Sequence, residues 1–230
     1  MQQTNTYSIA IDGPAGAGKS TMAKALARKL GIMYLDTGAM YRAFGLYMLR
    51  RGATSDPAAV VAAIDGVDIE VRFVDGAQRI FLSGEDVSEA IREPEVSMAA
   101  SNVSAVPEVR QRMVALQRKI AEGHSVVMDG RDIGTKVLPN ATLKIYLVAS
   151  AEVRAQRRFL ELQEKGMPEP YEKVLQDIMD RDYQDTHRAA SPLRPAEDAV
   201  RLDTSDLTID EAVAAIERLV KQAIAAKETP

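Results

Sequence analysis

The chain has 230 residues, 46% of them hydrophobic and 27% charged, enough to bury a substantial core and too apolar for wholesale disorder. It has no cysteine, which excludes a disulfide framework, a thiolate nucleophile and a cysteine metal site, and no apolar run near the ~20 residues of a membrane span. The net charge of −4 speaks against a polyanion binder, yet it conceals blocks of +4 over 1–50, −6 over 51–106, +2 over 107–194 and −4 over 195–230, so local clusters must decide. The start, Met1 to Thr6, has no basic n-region or apolar signal core, and we expect a cytoplasmic protein.

In chain order, Tyr7 to Asp12 reads as a short apolar strand ended by a glycine-rich turn. Residues 19–30 read as a helix closed by Gly31, 32–35 as a second strand and 38–51 as a second helix. Asp56-Pro57 starts another helix. Val67 to Phe73 and Gln78 to Leu82 alternate apolar and polar around Asp75-Gly76, the pattern of an antiparallel hairpin, so 53–105 reads as an acidic insertion with its own small sheet. From Pro107 a helix carries Val109, Met113, Leu116 and Ile120 as its apolar stripe, with Arg110 on its polar side. Strands at 125–128 and 143–148 precede charged helices at about 151–165 and 170–187. A strand near 199–203 leads to a helix with a Thr208/Glu211 capping box and an apolar face of Ile209, Val213, Ile216 and Val220. This alternation predicts an α/β fold, a parallel sheet with helices on both faces.

Gly13-Pro14-Ala15-Gly16-Ala17-Gly18-Lys19-Ser20 fits G-x-x-x-x-G-K-[ST] between the first strand and helix, with Thr21 following. Glycines let successive N–H groups turn toward a phosphate, and the helix adds its positive end. Lys19 can reach the outer phosphates and the Ser20 hydroxyl is placed for Mg²⁺, so the motif predicts binding of a nucleoside triphosphate with Mg²⁺. The motif alone does not name an acceptor.

Three further segments bear on that. Asp36 to Arg42 follows the second strand, where Thr37 and Arg42 could hold a second anion or form an ordinary helix start with a surface arginine. Ser125 to Asp132 is a buried-type strand ending in charge: Asp129 suits a carboxylate that holds magnesium waters, and Arg131 suits phosphate recognition. Asp132 could accept from an exocyclic amine of a base or make a structural salt bridge. Arg181, Asp185 and Arg188 share one helix face, as do Arg154, Arg157 and Arg158. These faces suit an anion between the helices, or a solvated charged pair using Glu161 and Asp177. No residue stands out as a general base, and neither His124 nor His187 has a triad-like context. A phosphate monoester acceptor, with a second pKa of about 6, needs none, whereas an alcohol acceptor would want a carboxylate.

Taken together, Gly13–Thr21, Asp36–Arg42, Ser101, Arg110, Gly130–Thr135 and Arg181 to Arg188 resemble the bacterial cytidylate kinases, a branch of the nucleoside monophosphate kinases, over essentially the whole chain. The resemblance implies a phosphate-loop core over 1–36, 106–150 and 189–230, a monophosphate-binding region over 37–105, and a charged helical lid over 151–188. It implies recognition of cytosine by Ser101, Arg110 and Asp132, of the monophosphate by Thr37, Arg42 and Arg131, and of the ribose by Asp185. Lys19, Arg131, Arg181 and Arg188 would act on the phosphates, with Arg157 and Arg158 contributed by the lid. The expected substrates are ATP and CMP or dCMP with Mg²⁺, acting on a monomer without nucleic acid polymer or membrane. The rival enzymes are kinases for UMP, AMP or a shikimate-like alcohol. A GTPase-type switch would need an N-K-x-D segment, and Asn5, Asn102 and Asn140 are each followed by the wrong residue.

Overall fold

The structure is a computed structural model and describes residues 6–53 and 56–228; the polar start read above for the absence of a signal segment lies largely outside them. In chain order the elements are β1 (Ser8–Asp12), α1 (Lys19–Leu30), β2 (Met33–Asp36), α2 (Thr37–Leu49), α3 (Pro57–Ala63), β3 (Ile69–Val74), β4 (Ala77–Leu82) and β5 (Glu85–Asp86). There follow α4 (Pro94–Ser104), α5 (Pro107–Ala121), β6 (Val126–Gly130), β7 (Leu143–Val148), α6 (Ala151–Glu164), α7 (Tyr171–His187), β8 (Val200–Asp203) and α8 (Ile209–Glu228). A π-type turn spans Ile133–Val137. The chain divides into two compact units, residues 1–32 with 124–230, and residues 33–123.

In the first unit β6, β1, β7 and β8 lie side by side, all parallel, with Ile9 opposite Val127 and Leu143. Parallel strands need both faces covered, which is why their sequences are continuous apolar runs. Ile9, Ala10, Ile11, Val126, Val127 and Met128 are fully buried. Helix α1 lies on β6 and α8, presenting Met22, Ala23 and Leu26. The Thr208/Glu211 capping box forms, with the Thr208 N–H donating to Glu211 at 2.9 Å and the Glu211 N–H to Thr208 Oγ1 at 3.3 Å. On α8 the buried face is Ala212, Val213, Ile216 and Val220, while Ile209, expected in it, is the first residue of the helix and is exposed. Helices α6 and α7 pair through Ala155, Leu162, Val174 and Ile178, with Phe159 edge-on to Tyr171.

In the second unit β3, β4 and β5 form an antiparallel sheet, and Asp75 and Gly76 both take positive φ, the primed two-residue turn that matches strand twist. The sequence reading assigns no element between 84 and 105, yet 94–104 is α4. Its apolar positions Val96, Ala99, Ala100 and Val103 follow the i, i+3, i+4, i+7 pattern in small residues, which carry a weak hydropathy signal. Small residues let α4 approach α2 closely, over the fully buried Met40 and Phe44. Helix α5, expected with the phosphate-loop core, packs on α2, α3 and α4 through Val109 and Met113; Leu116 and Ile120 are half-buried.

A Cβ at Gly45 would lie 2.7 Å from the Ala100 nitrogen and 3.0 Å from the Ala99 carbonyl carbon, and backbone cannot rotate away as a side chain can. Alanine is the better helix former by about 1 kcal/mol, so any net loss in Gly45→Ala isolates the clash. We expect a loss of about 1–3 kcal/mol in denaturant unfolding at unchanged slope. An unchanged midpoint would mean that α2 and α4 re-space freely.

Candidate active site

Strand β1 is followed by the loop at residues 13–18, and α1 starts at Lys19 behind a left-handed Gly18. A Cβ at Gly13 would overlap the Leu147 carbonyl oxygen, and Gly16 at φ 75° takes a conformation that side chains disfavour. The motif's glycines are thus needed both for turning and for close approach to β7. Lys19 is buried and donates from Nζ to the Pro14 carbonyl at 2.6 Å. Burial and the neighbouring Arg131 push its pKa down to about 7, against the pull of Asp129 and Asp185. Ser20 Oγ donates to Asp129 Oδ2 at 2.8 Å, so the two residues expected to serve a metal are brought together.

At the end of β6, Arg131 donates from Nε to Asp185 Oδ2 at 2.7 Å. Burial opposes the Arg131 charge, but Asp185 more than compensates, raising its pKa; burial likewise opposes the Asp185 carboxylate, and Arg131 and Arg188 lower its pKa. Arg188 donates from Nε to the Ser191 carbonyl at 2.7 Å and lies 3.5 Å from Asp185. Arg181 acts electrostatically on both Lys19 and Asp185. Asp185, which the resemblance assigns to ribose, here holds Arg131 and Arg188 in place. Asp132 is buried at the head of the π-type turn, where its carbonyl accepts from the Lys136 N–H at 2.8 Å.

On α6 the three arginines separate. Arg154 is buried against Asp182, Arg157 donates to the Thr204 carbonyl at 2.6 Å, and the more exposed Arg158 pairs with Glu161 at 2.9 Å. The three guanidiniums of this face are thus held separately, Arg154 by the loop and α7, Arg157 by the carbonyl just after β8, and Arg158 by Glu161 of its own helix, the partner expected for a solvated charged pair.

In the second unit, Asp36 caps α2 by accepting from the Ala39 N–H at 2.9 Å with Oδ1, while Oδ2 pairs with Arg42 at 2.9 Å. Thr37 is buried in the first turn. Arg110 proves to be buried rather than on a solvated polar side; it donates to the Ser104 carbonyl at 3.1 Å and lies over the Tyr41 ring at 5.4 Å. Ser101 is half-buried on α4, with its carbonyl accepting from Ser104 Oγ.

Two residues that the sequence reading passed over hold this machinery. Gln78 on β4 accepts from the Asp36 N–H at 2.7 Å and donates to the Asp36 carbonyl at 3.2 Å, fixing the start of α2. Asp12 accepts from the Ile133 and Gly134 N–H groups at 2.8 and 2.7 Å, fixing the turn after Arg131 and Asp132. An acid closing a buried strand just before a glycine loop was the available signal for Asp12; nothing local marked Gln78.

A family model described as cytidylate kinase matches residues 9–222. The chain belongs to the cytidylate kinase family. It is 54% identical to the cytidylate kinase of Caldicellulosiruptor bescii over 88% of this chain and 90% of that one. With the cytidylate kinase of Enterococcus faecalis the identity is 51%, over 94% and 96%. A solved structure of an uncharacterized protein from Eubacterium ventriosum shares the fold, with a TM-score of 0.50 at 15% identity, over 95% of this chain and 99% of that one. No helix among the described residues is long and apolar enough to cross a membrane.

Burial raises the Asp12 pKa to about 6, against the two backbone donors. A folded-state pKa above the unfolded value means that the folded protein binds the proton more tightly, so this residue's contribution to stability falls as pH rises from about 4 to about 6. Asp12→Asn cannot titrate. We expect the unfolding free energy of wild type, relative to Asp12→Asn, to decline over that window and level off near pH 7. A flat difference would show that Asp12 is ionised throughout.

Proposed function

We propose that the chain transfers the γ-phosphoryl group of ATP to CMP or dCMP, giving ADP and CDP or dCDP. The observation that carries this reading is Lys19 and the Ser20–Asp129 pair at the head of a phosphate loop, in a chain half identical to cytidylate kinases along nearly its whole length. In this reading an oxygen of the CMP phosphate attacks the γ-phosphorus as its bond to the β-γ bridging oxygen breaks, and the electron pair leaves with ADP. The acceptor oxygen is already ionised near neutral pH, so the step needs no general base.

The loop N–H groups and Lys19 would bind the donor phosphates, displacing Lys19 from the Pro14 carbonyl. Arg131, Arg181 and Arg188 would offset the charge spread over the transferring group. Thr37, Arg42 and Arg131 would hold the acceptor phosphate, and Ser101, Arg110 and Asp132 the cytosine, with Asp185 positioning Arg131 or meeting the ribose. Arg157 and Arg158 would join the phosphates from the lid, 151–188, on closure. Mg²⁺ fits the oxygen donors Ser20 and Asp129, hard ligands already adjacent, and would neutralise phosphate charge when bound. A cytoplasmic monomer remains our reading of its setting.

ADP release coupled to a reporter, with CMP, dCMP, UMP, AMP and GMP as acceptors, tests this directly. CMP or dCMP should give the highest turnover, far above hydrolysis by ATP alone; equal or greater turnover of AMP or GMP would sink the specificity claim. Asp132→Ala should raise KM for CMP about tenfold or more, the loss expected for a charged hydrogen bond to the base, with a smaller effect on KM for ATP. An unchanged KM for CMP would make Asp132 structural.

A further inference from the structure

We propose that Arg154 and Asp182 form a strut that sets the phosphate loop's peptide planes for anion binding, so that Arg154 acts as a positioning residue and contacts no phosphate. The Arg154 guanidinium is fully engaged within the fold. Its Nε donates to the Ala149 carbonyl at 2.9 Å, its Nη1 to the Ala15 carbonyl at 3.1 Å, and Nη1 and Nη2 together grip Asp182 at 3.0 and 2.6 Å. The side chain is only 5% exposed, and Asp182 26%. A guanidinium so enclosed and so fully paired is not available to a ligand without breaking a buried pair.

The contact with Ala15 has a directional consequence. The trans peptide is planar, with its C=O and N–H pointing opposite ways. Holding the Ala15 carbonyl on Arg154 turns the Gly16 N–H to the opposite side, away from α6. The Ala17 carbonyl lies within reach of Thr204 Oγ1 at 3.4 Å, which shares its one proton with the Val148 carbonyl at 3.2 Å. Successive N–H groups turned to one side are what make such a loop an anion cradle. A free loop could flip these peptides and point carbonyl oxygens at the incoming charge. Gly16 is free to flip, since glycine adopts either hand of φ without strain, so the orientation has to be imposed from outside the loop. Arg154 imposes it, and the carboxylate of Asp182 fixes the guanidinium in the plane that reaches Ala15. Asp182 also sits on α7 between Arg181 and Asp185, so the strut ties the loop to the helix carrying those residues.

This inference deepens the kinase reading, so its test must fail separately from that reading. Arg154→Met and Asp182→Asn are compared with wild type in full-length protein, by calorimetric titration with inorganic tripolyphosphate and by steady-state kinetics with ATP and CMP. The backbone amide shift of Gly16 is followed by NMR as tripolyphosphate is added. We expect Arg154→Met to weaken tripolyphosphate binding and raise KM for ATP by about tenfold or more, the loss of a charged hydrogen bond, with KM for CMP changed by less than about twofold. Asp182→Asn, which preserves shape, should move the same quantities in the same direction by less, and the Gly16 shift on titration should shrink in both. A lower melting temperature with ATP, CMP and tripolyphosphate unaffected, or affected equally, would overturn the strut and leave the pair merely structural. Should Arg154→Met fail to fold, Asp182→Asn decides alone by the same criterion. Wild-type protein that binds tripolyphosphate but does not phosphorylate CMP would refute the kinase reading while leaving the strut testable.

Discussion

The constraint on which this structure turns is the burial of charge at the carboxyl ends of β1 and β6. Asp12, Lys19 and Asp129 are 4–6% exposed, Asp185 is buried beside them, and the Arg131 side chain is 20% exposed. An isolated charge in such a place costs several kcal/mol, so each must find a partner within the fold. The partners come from far along the chain: Asp12 meets the turn at 133–134, Ser20 meets Asp129, and Arg131 meets Asp185 on α7. Satisfying these charges fixes the loop, the end of β6 and α7 against one another, and the proposed phosphoryl transfer would use that arrangement. Stability and function therefore draw on the same few contacts.

The same constraint explains the ligand-free arrangement of Lys19. A lysine placed to bind phosphate has no anion to meet until one arrives, and burial pushes its pKa down to about 7 in the meantime. Its donation to the Pro14 carbonyl at 2.6 Å satisfies one proton with a neutral acceptor. A phosphate oxygen, itself charged, would be the stronger acceptor. Asp129 treats Ser20 similarly, holding a hydroxyl through a bond that a cation's stronger field would replace.

What the sequence made legible follows from how local each signal is. The phosphate loop, the Asp75-Gly76 hairpin and the Thr208/Glu211 capping box are determined by residues within a few positions of one another, and all three form. The parallel strands were legible as short continuous apolar runs, with boundaries off by a residue or two. Helix α4 escaped because its buried face is built of alanine and valine among serines, where hydropathy contrast is low although the period is intact. The candidate site residues were found by type and spacing, but their partners were not. Helical spacing put Arg154, Arg157 and Arg158 on one face and offered Glu161, three residues from Arg158, as a partner, but it could not say that Asp182 and Thr204 would claim the other two. The pairings of Asp36 with Gln78 and of Arg131 with Asp185 span 42 and 54 positions, and no pattern in one sequence encodes them.

Asp36 shows how much placement a single residue can set once those distant partners are in place. Its Oδ1 caps α2, its Oδ2 pairs with Arg42 six residues later, and its main chain is gripped at both ends by Gln78. The cap fixes where α2 begins, the ion pair fixes the rotamer of Arg42 over that first turn, and Gln78 fixes both to the small antiparallel sheet. Gly38 is the accommodation this requires, since a Cβ there would come within 3.2 Å of Asp36 Oδ1 and 3.3 Å of Arg42 Nη1. The acidic insertion thus has a task beyond offsetting charge: β4 delivers the amide that holds the head of α2. Thr37 and Arg42, proposed here to meet the acceptor phosphate, owe their position to a strand that carries no substrate contact of its own in this reading.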